Sequence, residues 1–500
     1  MTSIPVRRTV QTPTWAPPGL LHLALIVSLI LLLPGGAQAQ ETGPPAAESM
    51  APERPALMGS ASTGMGLPAP ASEGAPPSAS AEGDALEDLL AEALATHPEI
   101  QAARSRVEAA SARIPQAGAL PDPNLFAGLM YVPLPDFDIS AEGMTMLSLQ
   151  FGQRLPPRGL RGARERAAQA ELEAARTEVE ATEWSVKLRL QEAYFELLLV
   201  VEAEAVHHRT HSALEAFAAS AESAFTQGLA PQQDILRAQT ELAGIEEHLA
   251  ELRQRRSVAQ AQVNALLGRD SRSPIHPVMP QRVVRLLEAD PGPGILTSYL
   301  VDAELGGGLP TLAALQEEAL GRRPELASAR HRAEAGTHRV EAARRDRRPG
   351  VSLTGGYALR SARSDMVSVG VSVDLPLFRS RKQDQAVFEA EHALQADRAG
   401  VEAVEREIRE EVAEAHADLI QVREQVILLE EGIIPQARAT VQSASGAYRS
   451  GDSSFVSLME VYAVLFRNEI QLAHLSAELG TSLVRLERAV GAELTPEESR

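Results

Sequence analysis

Three kinds of side chain in this sequence are spaced so that they could do chemistry. The segment VHHRTH carries His207, His208 and His211. His207 and His211 stand one helical turn apart, a spacing that can chelate a metal ion. No Glu lies between them in the H-E-x-x-H manner, and a solvated histidine cluster is the plainer reading. Two acids, Asp234 and Glu460, each follow shortly after a glycine, Gly228 and Gly451, that interrupts a long helical pattern. Three methionines, Met50, Met58 and Met65, are soft donors for copper, but they lie in a Pro/Ala/Ser/Gly-rich stretch where scattered methionine is ordinary. Signatures of covalent catalysis are missing: no G-x-S-x-G, P-loop or G-x-G-x-x-G unit, and no His–carboxylate pair of recognisable spacing. The sequence therefore predicts a protein that is not an enzyme and needs no cofactor.

Composition narrows the class further. The 500 residues carry a formal net charge of −20, with a sequence pI of about 5.2. Such a surface repels a duplex, so nucleic acid is excluded as a partner, while cationic or neutral solutes remain compatible. Aromatics make up 4% of the chain, and Ala, Glu, Leu and Arg dominate, a balance that favours long helices over a large β core. The absence of cysteine rules out disulfides, thiolate metal sites and an acylated N-terminal cysteine. Arg7 and Arg8, the apolar run Leu20–Leu33 and Ala37-Gln38-Ala39 read as an export signal over residues 1–39. Residues 40–83 read as a disordered linker.

The elements that must position these residues are stated twice. ALATHPEIQAARSRVEAA (92–109) echoes ALGRRPELASARHRAEAG (319–336), and AFTQGLAPQQDIL (224–236) echoes AYRSGDSSFVSLM (447–459). Offsets stay between 220 and 226 residues, so one architecture is duplicated. We expect a first repeat over 84–270, a Pro/Gly-rich joint over 271–308, a second repeat over 309–491 and a tail over 492–500. Each repeat reads as a first helix (84–117, then 309–347), two extended segments and a very long helix (160–227, then 379–449). A glycine breaks that helix, and a shorter helix returns (231–267, then 453–489). Val186, Leu190, Ala193, Leu197 and Val200 are spaced four and three residues apart, and Ile408, Val412, Ala415, Leu419 and Val422 repeat the seam. Trp184, Leu188, Phe195 and Leu198 form a second seam nearly opposite the first. Apolar seams on both flanks suit a bundle or a wall of helices rolled into a tube. A helix near 70 residues reaches roughly 105 Å.

The extended segments alternate oily and small polar residues. Leu125, Ala127, Leu129 and Tyr131 share one face of the first, and Leu147, Leu149 and Phe151 one face of the second. Val351, Leu353 and Tyr357 do so in the third, and Val367, Val369, Val371 and Val373 in the fourth. The opposite faces are Ser, Gly, Thr and Gln rather than the Lys/Glu mixture of a solvated sheet. Each segment is about 9–11 residues, enough for a tilted strand to span a bilayer with its oily side toward lipid. Four strands cannot close a barrel, and open edges in lipid leave backbone groups unpaired, so chains must share a barrel. Eight, twelve or sixteen strands would serve two, three or four chains. The contrary expectation is a soluble periplasmic coiled-coil adaptor or spacer whose hairpins turn their oily faces inward.

The duplicated plan, the turns FTQGLAPQQDIL and YRSGDSSFVSLMEV and the hairpin entry GALPDPNL resemble the TolC-like outer membrane factors over residues 84–491. GALPDPNL followed by FGQRLPPRGLRG is most similar to the subgroup serving heavy-metal and cation efflux. The resemblance implies a mainly α fold with a small β part. Duplicated long helices would form an α-barrel across the periplasm, and four membrane β-strands per chain would enter a shared trimeric β-barrel in the outer membrane. It implies a homotrimer that docks a periplasmic adaptor (membrane fusion) protein and an inner-membrane pump. The resemblance places Gln227, Gly228, Leu229, Ser450, Gly451 and Asp452 at the adaptor-facing tips. It places Asp234 and Glu460 beside the constriction at the tunnel mouth, where symmetry would make each a ring of carboxylates. Ser457 stands where relatives carry a further acid, which weakens that ring.

Overall fold

The structure, a computed structural model, describes residues 84–132, 144–228, 230–288, 310–360 and 363–494. The expected export signal, linker, Leu229, most of the first hairpin loop, much of the joint and the end of the tail lie outside the described residues.

The chain is mainly helical. It opens with α1 (Leu86–Thr96) and α2 (Pro98–Gly118), where the sequence reading had one helix. Pro98 takes the first helical turn of α2, where its missing N–H costs nothing, and His97 before it is extended at φ −62° and ψ 128°. The His97 ring accepts the Glu99 backbone N–H at 3.3 Å, capping α2. Two strands follow, β1 (Asn124–Met130) and β2 (Met146–Leu155), and then α3 (Leu160–Thr226), 67 residues long and so about 100 Å in length. After Gly228 come α4 (Gln232–Leu267) and α5 (Gln281–Glu288). The last is a short amphipathic helix within the Pro/Gly-rich joint of the sequence reading.

The second half runs in the same order. Its first helix is again split, into α6 (Leu312–Arg322) and α7 (Pro324–Arg345), with extended Arg323 before the proline. Strands β3 (Gly350–Arg360) and β4 (Met366–Asp374) lead to α8 (Gln383–Ile427) and α9 (Ile434–Ser450), and α10 (Phe455–Val490) closes the repeat. Between α8 and α9 the chain makes a π-helical turn, Leu428–Ile433, where the sequence reading ran one α-helix through. Pro435 explains it: a proline lacks the N–H its preceding turn would use, and a wider i→i+5 turn absorbs the mismatch.

Contacts divide the chain into two units: strand segments within Leu125–Phe151 and Gly355–Val369, and a body holding the helices. In the body, both seams read from the sequence are at work. Val186, Leu190, Leu197, Ile408, Val412 and Leu419 are fully buried in one cluster, with Phe195 and Leu198 from the second seam of α3. Close approach here needs a missing Cβ: one placed on Gly480 of α10 would overlap the Phe195 ring. A second, smaller apolar cluster gathers Leu214, Ala238, Ile245, Phe455, Leu458 and Met459 near the helix turns.

The strands pair in the order β1-β2-β3-β4, so β1 and β4 are the free edges. Their oily faces stay uncovered: Val367 is 74% and Val369 84% exposed, with Leu149, Phe151 and Leu353 also exposed, while Leu147 and Val351 are partly covered. On the other face, Ser148 and Gly152 of β2 are buried. None of the described helices is long and apolar enough to cross a membrane.

Candidate functional site: the helix turns

Both long-helix turns are made by a glycine in the left-handed region, Gly228 at φ 72° and Gly451 at φ 82°. A side chain there costs roughly 1–2 kcal/mol because its Cβ crowds the next carbonyl. Gly451 N–H donates to the Tyr448 carbonyl at 3.2 Å and Asp452 N–H to the Ala447 carbonyl at 2.9 Å, satisfying the last carbonyls of α9. At the first turn Gly228 N–H donates to the Phe225 carbonyl at 2.9 Å. Ser450 Oγ reaches Asp452 Oδ2 at 2.7 Å, and Ser454 caps α10 by accepting from Ser457 N–H. Gln227, Gly228, Ser450, Gly451 and Asp452 are all exposed, and no atom comes within 4 Å of a Cβ built on either glycine. Leu229 lies outside the described residues.

The two acids beyond these turns face different surroundings. Asp234, in the first turn of α4, is 6% exposed and has no ion pair among the described residues. Burial raises its carboxyl above the usual range, opposed by Arg237. Its charge in turn pushes up Tyr448 of α9, whose phenol is already raised by burial. The Tyr448 hydroxyl is buried without a hydrogen-bond partner, its ring set edge-on to Phe455 at 5.6 Å. Glu460 is exposed. It lines a groove of about 250 Å³ with Arg237, Glu241, His248 and Met459. The structure thus brings Asp234 to Tyr448, a neighbour the sequence reading did not name, and sets Glu460 across the groove from Arg237. Matching the repeats by Gly228 and Gly451 pairs Asp234 with Ser457 and Arg237 with Glu460, so the groove faces two repeat-mates of opposite charge.

The histidines separate. His207 is buried, its Nδ1 2.8 Å from the Ala203 carbonyl, its ring against Phe466 at 5.1 Å and His248 at 5.8 Å. Burial lowers its pKa. His211 instead turns to Glu215 at 3.6 Å and Glu246 at 3.7 Å. Among the described residues no group of three or more His, Asp or Glu side chains is placed to hold a metal ion.

A duplicated bundle of long helices, with a small sheet whose oily face is open, defines a class seen in solved outer membrane channels. The chain is similar to the outer-membrane channel OprN at 21% identity and a TM-score of 0.66, over 81% of this chain and 90% of that one. It is similar to CusC, described in terms of transmembrane channel formation, at 19% identity and a TM-score of 0.66, over 81% and 92% of the two chains. The outer membrane protein VceC of Vibrio cholerae matches at 20% identity and a TM-score of 0.64, over 81% and 96%. Identities this low establish the shared fold. No curated protein matches the chain. The family model for outer membrane efflux protein matches residues 89–269 and 315–492, well over half of the sequence. The chain belongs to the outer membrane efflux protein family, and its place is the outer membrane.

Proposed function

We propose that this chain is one subunit of a homotrimeric exit duct in a tripartite efflux system. Four strands from each subunit join a twelve-stranded barrel in outer membrane lipid, and the helices carry the passage through the periplasm. The tips Gln227, Gly228, Leu229, Ser450, Gly451 and Asp452 meet a periplasmic adaptor, through which an inner-membrane pump delivers solute. The solutes are metal cations or drugs, in keeping with a net charge of −20 and the GALPDPNL entry. The duct does no bond chemistry; the pump supplies the energy and the selection.

One observation carries the reading. The valines of β4 stand exposed while the small polar residues of β2 are the covered ones. A soluble hairpin has the reverse arrangement, because burying its valines against a core is what would stabilise it. Lipid is the surrounding in which exposed valine and a complete backbone hydrogen-bond ladder are both favourable. The chain is therefore expected to fractionate with outer membranes and to run on gels as an oligomer that heating dissociates. A soluble monomer in detergent-free extracts would overturn the reading.

Asp234 and Glu460 are the gate of this proposal. The buried acid lies close enough for its charge to act on the Tyr448 phenol of the second hairpin, and Glu460 lines the adjoining groove with Arg237 and Glu241. Asp234→Ala with Glu460→Ala is expected to raise single-channel conductance in planar bilayers. Unchanged conductance and cation preference would remove both residues from the gate.

A further inference from the structure

Where strands give way to helices along the chain, its charge reverses sign. Segments 154–166, 344–348 and 374–384 hold twelve of the 47 Arg and Lys residues and four of the 67 Asp and Glu residues, in a chain whose net charge is −20. β2 ends at Leu155, β3 begins at Gly350 and β4 ends at Asp374, so each segment adjoins the end of a strand. The three are tied together. Arg345 Nη1 donates to the Arg158 carbonyl at 3.5 Å, and a Cβ on Gly159 would overlap the Arg345 guanidinium. Arg154 pairs with Asp374 at 3.3 Å. Asp384 pairs with Arg347 at 2.9 Å and with Arg379 at 3.3 Å. With Asp374 and Asp384 engaged, Glu165 and Asp346 are the acids left in these segments.

These contacts leave a set of cations over. Arg158, Arg348, Arg381 and Lys382 are all exposed, and none of them has an ion pair among the described residues. An oily tip stands in the same belt: Leu375 is 67%, Leu377 81% and Phe378 75% exposed. The Phe378 carbonyl accepts the Arg381 N–H at 3.0 Å and the Lys382 N–H at 3.1 Å, so the oily and the cationic residues share one turn. Water gains nothing from exposed Leu and Phe. A bilayer interface suits both halves of the turn, because its acyl boundary takes the apolar side chains and its phosphates take the cations. Depth along the chain agrees. β2, β3 and β4 are 10, 11 and 9 residues long, each enough for one tilted span, so these segments stand where a span ends.

We propose that this belt binds the phosphate headgroups of anionic phospholipids on the periplasmic face of the outer membrane. Arg158, Arg348, Arg381 and Lys382 take the phosphates, and Leu377 and Phe378 enter the acyl boundary beside them. Resting on the channel reading above, this adds a lipid class and the side chains that select it. Pro156 and Pro376 hold matching places in the two repeats, and cations follow each, so one chain offers the lipid two arms. A guanidinium can hold a phosphate through two parallel hydrogen bonds, and the lysine adds a point charge. Each cation beside an anionic lipid surface strengthens association about five-fold, an attraction that salt screens.

The test places the full chain in nanodiscs of phosphatidylcholine alone or of an equal mixture with phosphatidylglycerol. Native mass spectrometry of protein released from the mixture should find phosphatidylglycerol enriched over phosphatidylcholine at least about five-fold. The oligomer should also dissociate at a higher temperature in the mixture than in phosphatidylcholine alone. Arg158→Gln with Arg348→Gln, Arg381→Gln and Lys382→Gln breaks no ion pair among the described residues. It should abolish the enrichment and the temperature difference while the oligomer still forms. Leu377→Ser with Phe378→Ser should weaken retention of both lipids alike, and unchanged retention would overturn the insertion of the oily tip. Glycerol phosphate, a headgroup without its chains, should not replace the lipid; an equal rise in dissociation temperature would make this a site for soluble anions. A fourfold variant that no longer oligomerises in either lipid would assign the cations to a contact between copies. One that alters single-channel ion selectivity would turn them toward the passage. Each of these three results overturns the lipid site. So does a membrane oligomer without lipid preference, which leaves the channel reading standing. A soluble monomer overturns both.

Discussion

The end of the helical body where the repeats join holds its buried acids in ion pairs, and the end where the long helices turn buries an acid without one. At the junction, Arg323 is buried with its Nε and Nη1 both engaged. It pairs with Glu411 at 2.7 Å and Glu325 at 2.9 Å and donates to the carbonyls of Arg488 at 3.2 Å and Ala489 at 3.0 Å. Glu487, 1% exposed, is held by Arg282 at 3.0 Å and by the Leu494 N–H. Arg423 ties α5 to α8 through the Leu286 carbonyl at 2.8 Å. At the turns, by contrast, Asp234 is buried with no ion pair and Tyr448 with no hydrogen bond. Ring contacts such as Phe217–Tyr462 at 5.4 Å hold the hairpins together there. Separating paired buried charges is costly, and no opposite charge holds the acid at the turns in the same way. Under the proposed gating role the junction is the end that resists motion and the turns are the end that moves.

The sharpest way to break this contrast is to remove the centre of the junction. Arg323→Met leaves Glu411 and two carbonyls without their donor and Glu325 with Arg488 alone. Loss of one partner from a buried pair typically costs ~3–5 kcal/mol. We expect denaturant unfolding of the detergent-solubilised protein to shift by an amount of that order. A shift no larger than that of a surface substitution would show that the junction is not the rigid end.

Glu487 sharpens the same point through pH. Burial pushes its carboxyl up to about 7, against the opposing pull of Arg282. A carboxyl whose folded pKa lies above its unfolded value stabilises the fold most at low pH. That contribution is lost as pH rises from the ordinary carboxylate range through about 7. Stability should therefore fall between about pH 5 and pH 8, and Glu487→Gln should flatten the fall. A wild-type curve that is level, or a Gln variant with the same slope, would count against the buried acid as its source.

Much of this was legible before any coordinates. The seams could be read because burial along a long helix follows a fixed period, and Val186, Leu190 and Leu197 could hardly face elsewhere. The β4 valines were legible for the same reason with a period of two. The break at His97 was readable from Pro98, since proline favours a first helical turn, yet the helical period on both sides masked it. The π turn at Leu428–Ile433 was not legible: its only local sign, Pro435, is equally at home in a kinked α-helix. Nor was the burial of Asp234. It stands on an otherwise polar turn, and what covers it, Tyr448, lies in the other repeat. One side chain's direction is set by packing between elements, which no local pattern records.

At the turns the expected effects are smaller. Because burial raises Asp234, its neutral form suits the packed arrangement, and ionisation as pH rises through its folded pKa works against that packing. Under the proposed gating role, single-channel conductance should climb with pH above the ordinary carboxylate range. A change on the order of 1 kcal/mol would alter the open-to-closed ratio roughly five-fold. Asp234→Asn, neutral at every pH, should abolish the climb while Glu460→Gln leaves it in place. If both variants keep it, another group titrates.

The smallest effect is expected at the histidines, and it tests whether the half of the body nearer the turns also senses metal. Chelation by His207 and His211 needs both rings turned to one point with a lone pair free. His207 Nδ1 is engaged with the Ala203 carbonyl, and its ring is packed edge-on against Phe466. His211 faces Glu215 and Glu246. Freeing the first ring would give up its apolar packing for a site with at most one further donor. Calorimetric titration with Zn²⁺ or Cu²⁺ should therefore give the same heats for the wild type and for His207→Ala with His211→Ala. A saturable heat lost in the double variant would mean that the His207 ring swings out on binding. The tip half would then have a second, metal-driven way of rearranging beside the acid at Asp234.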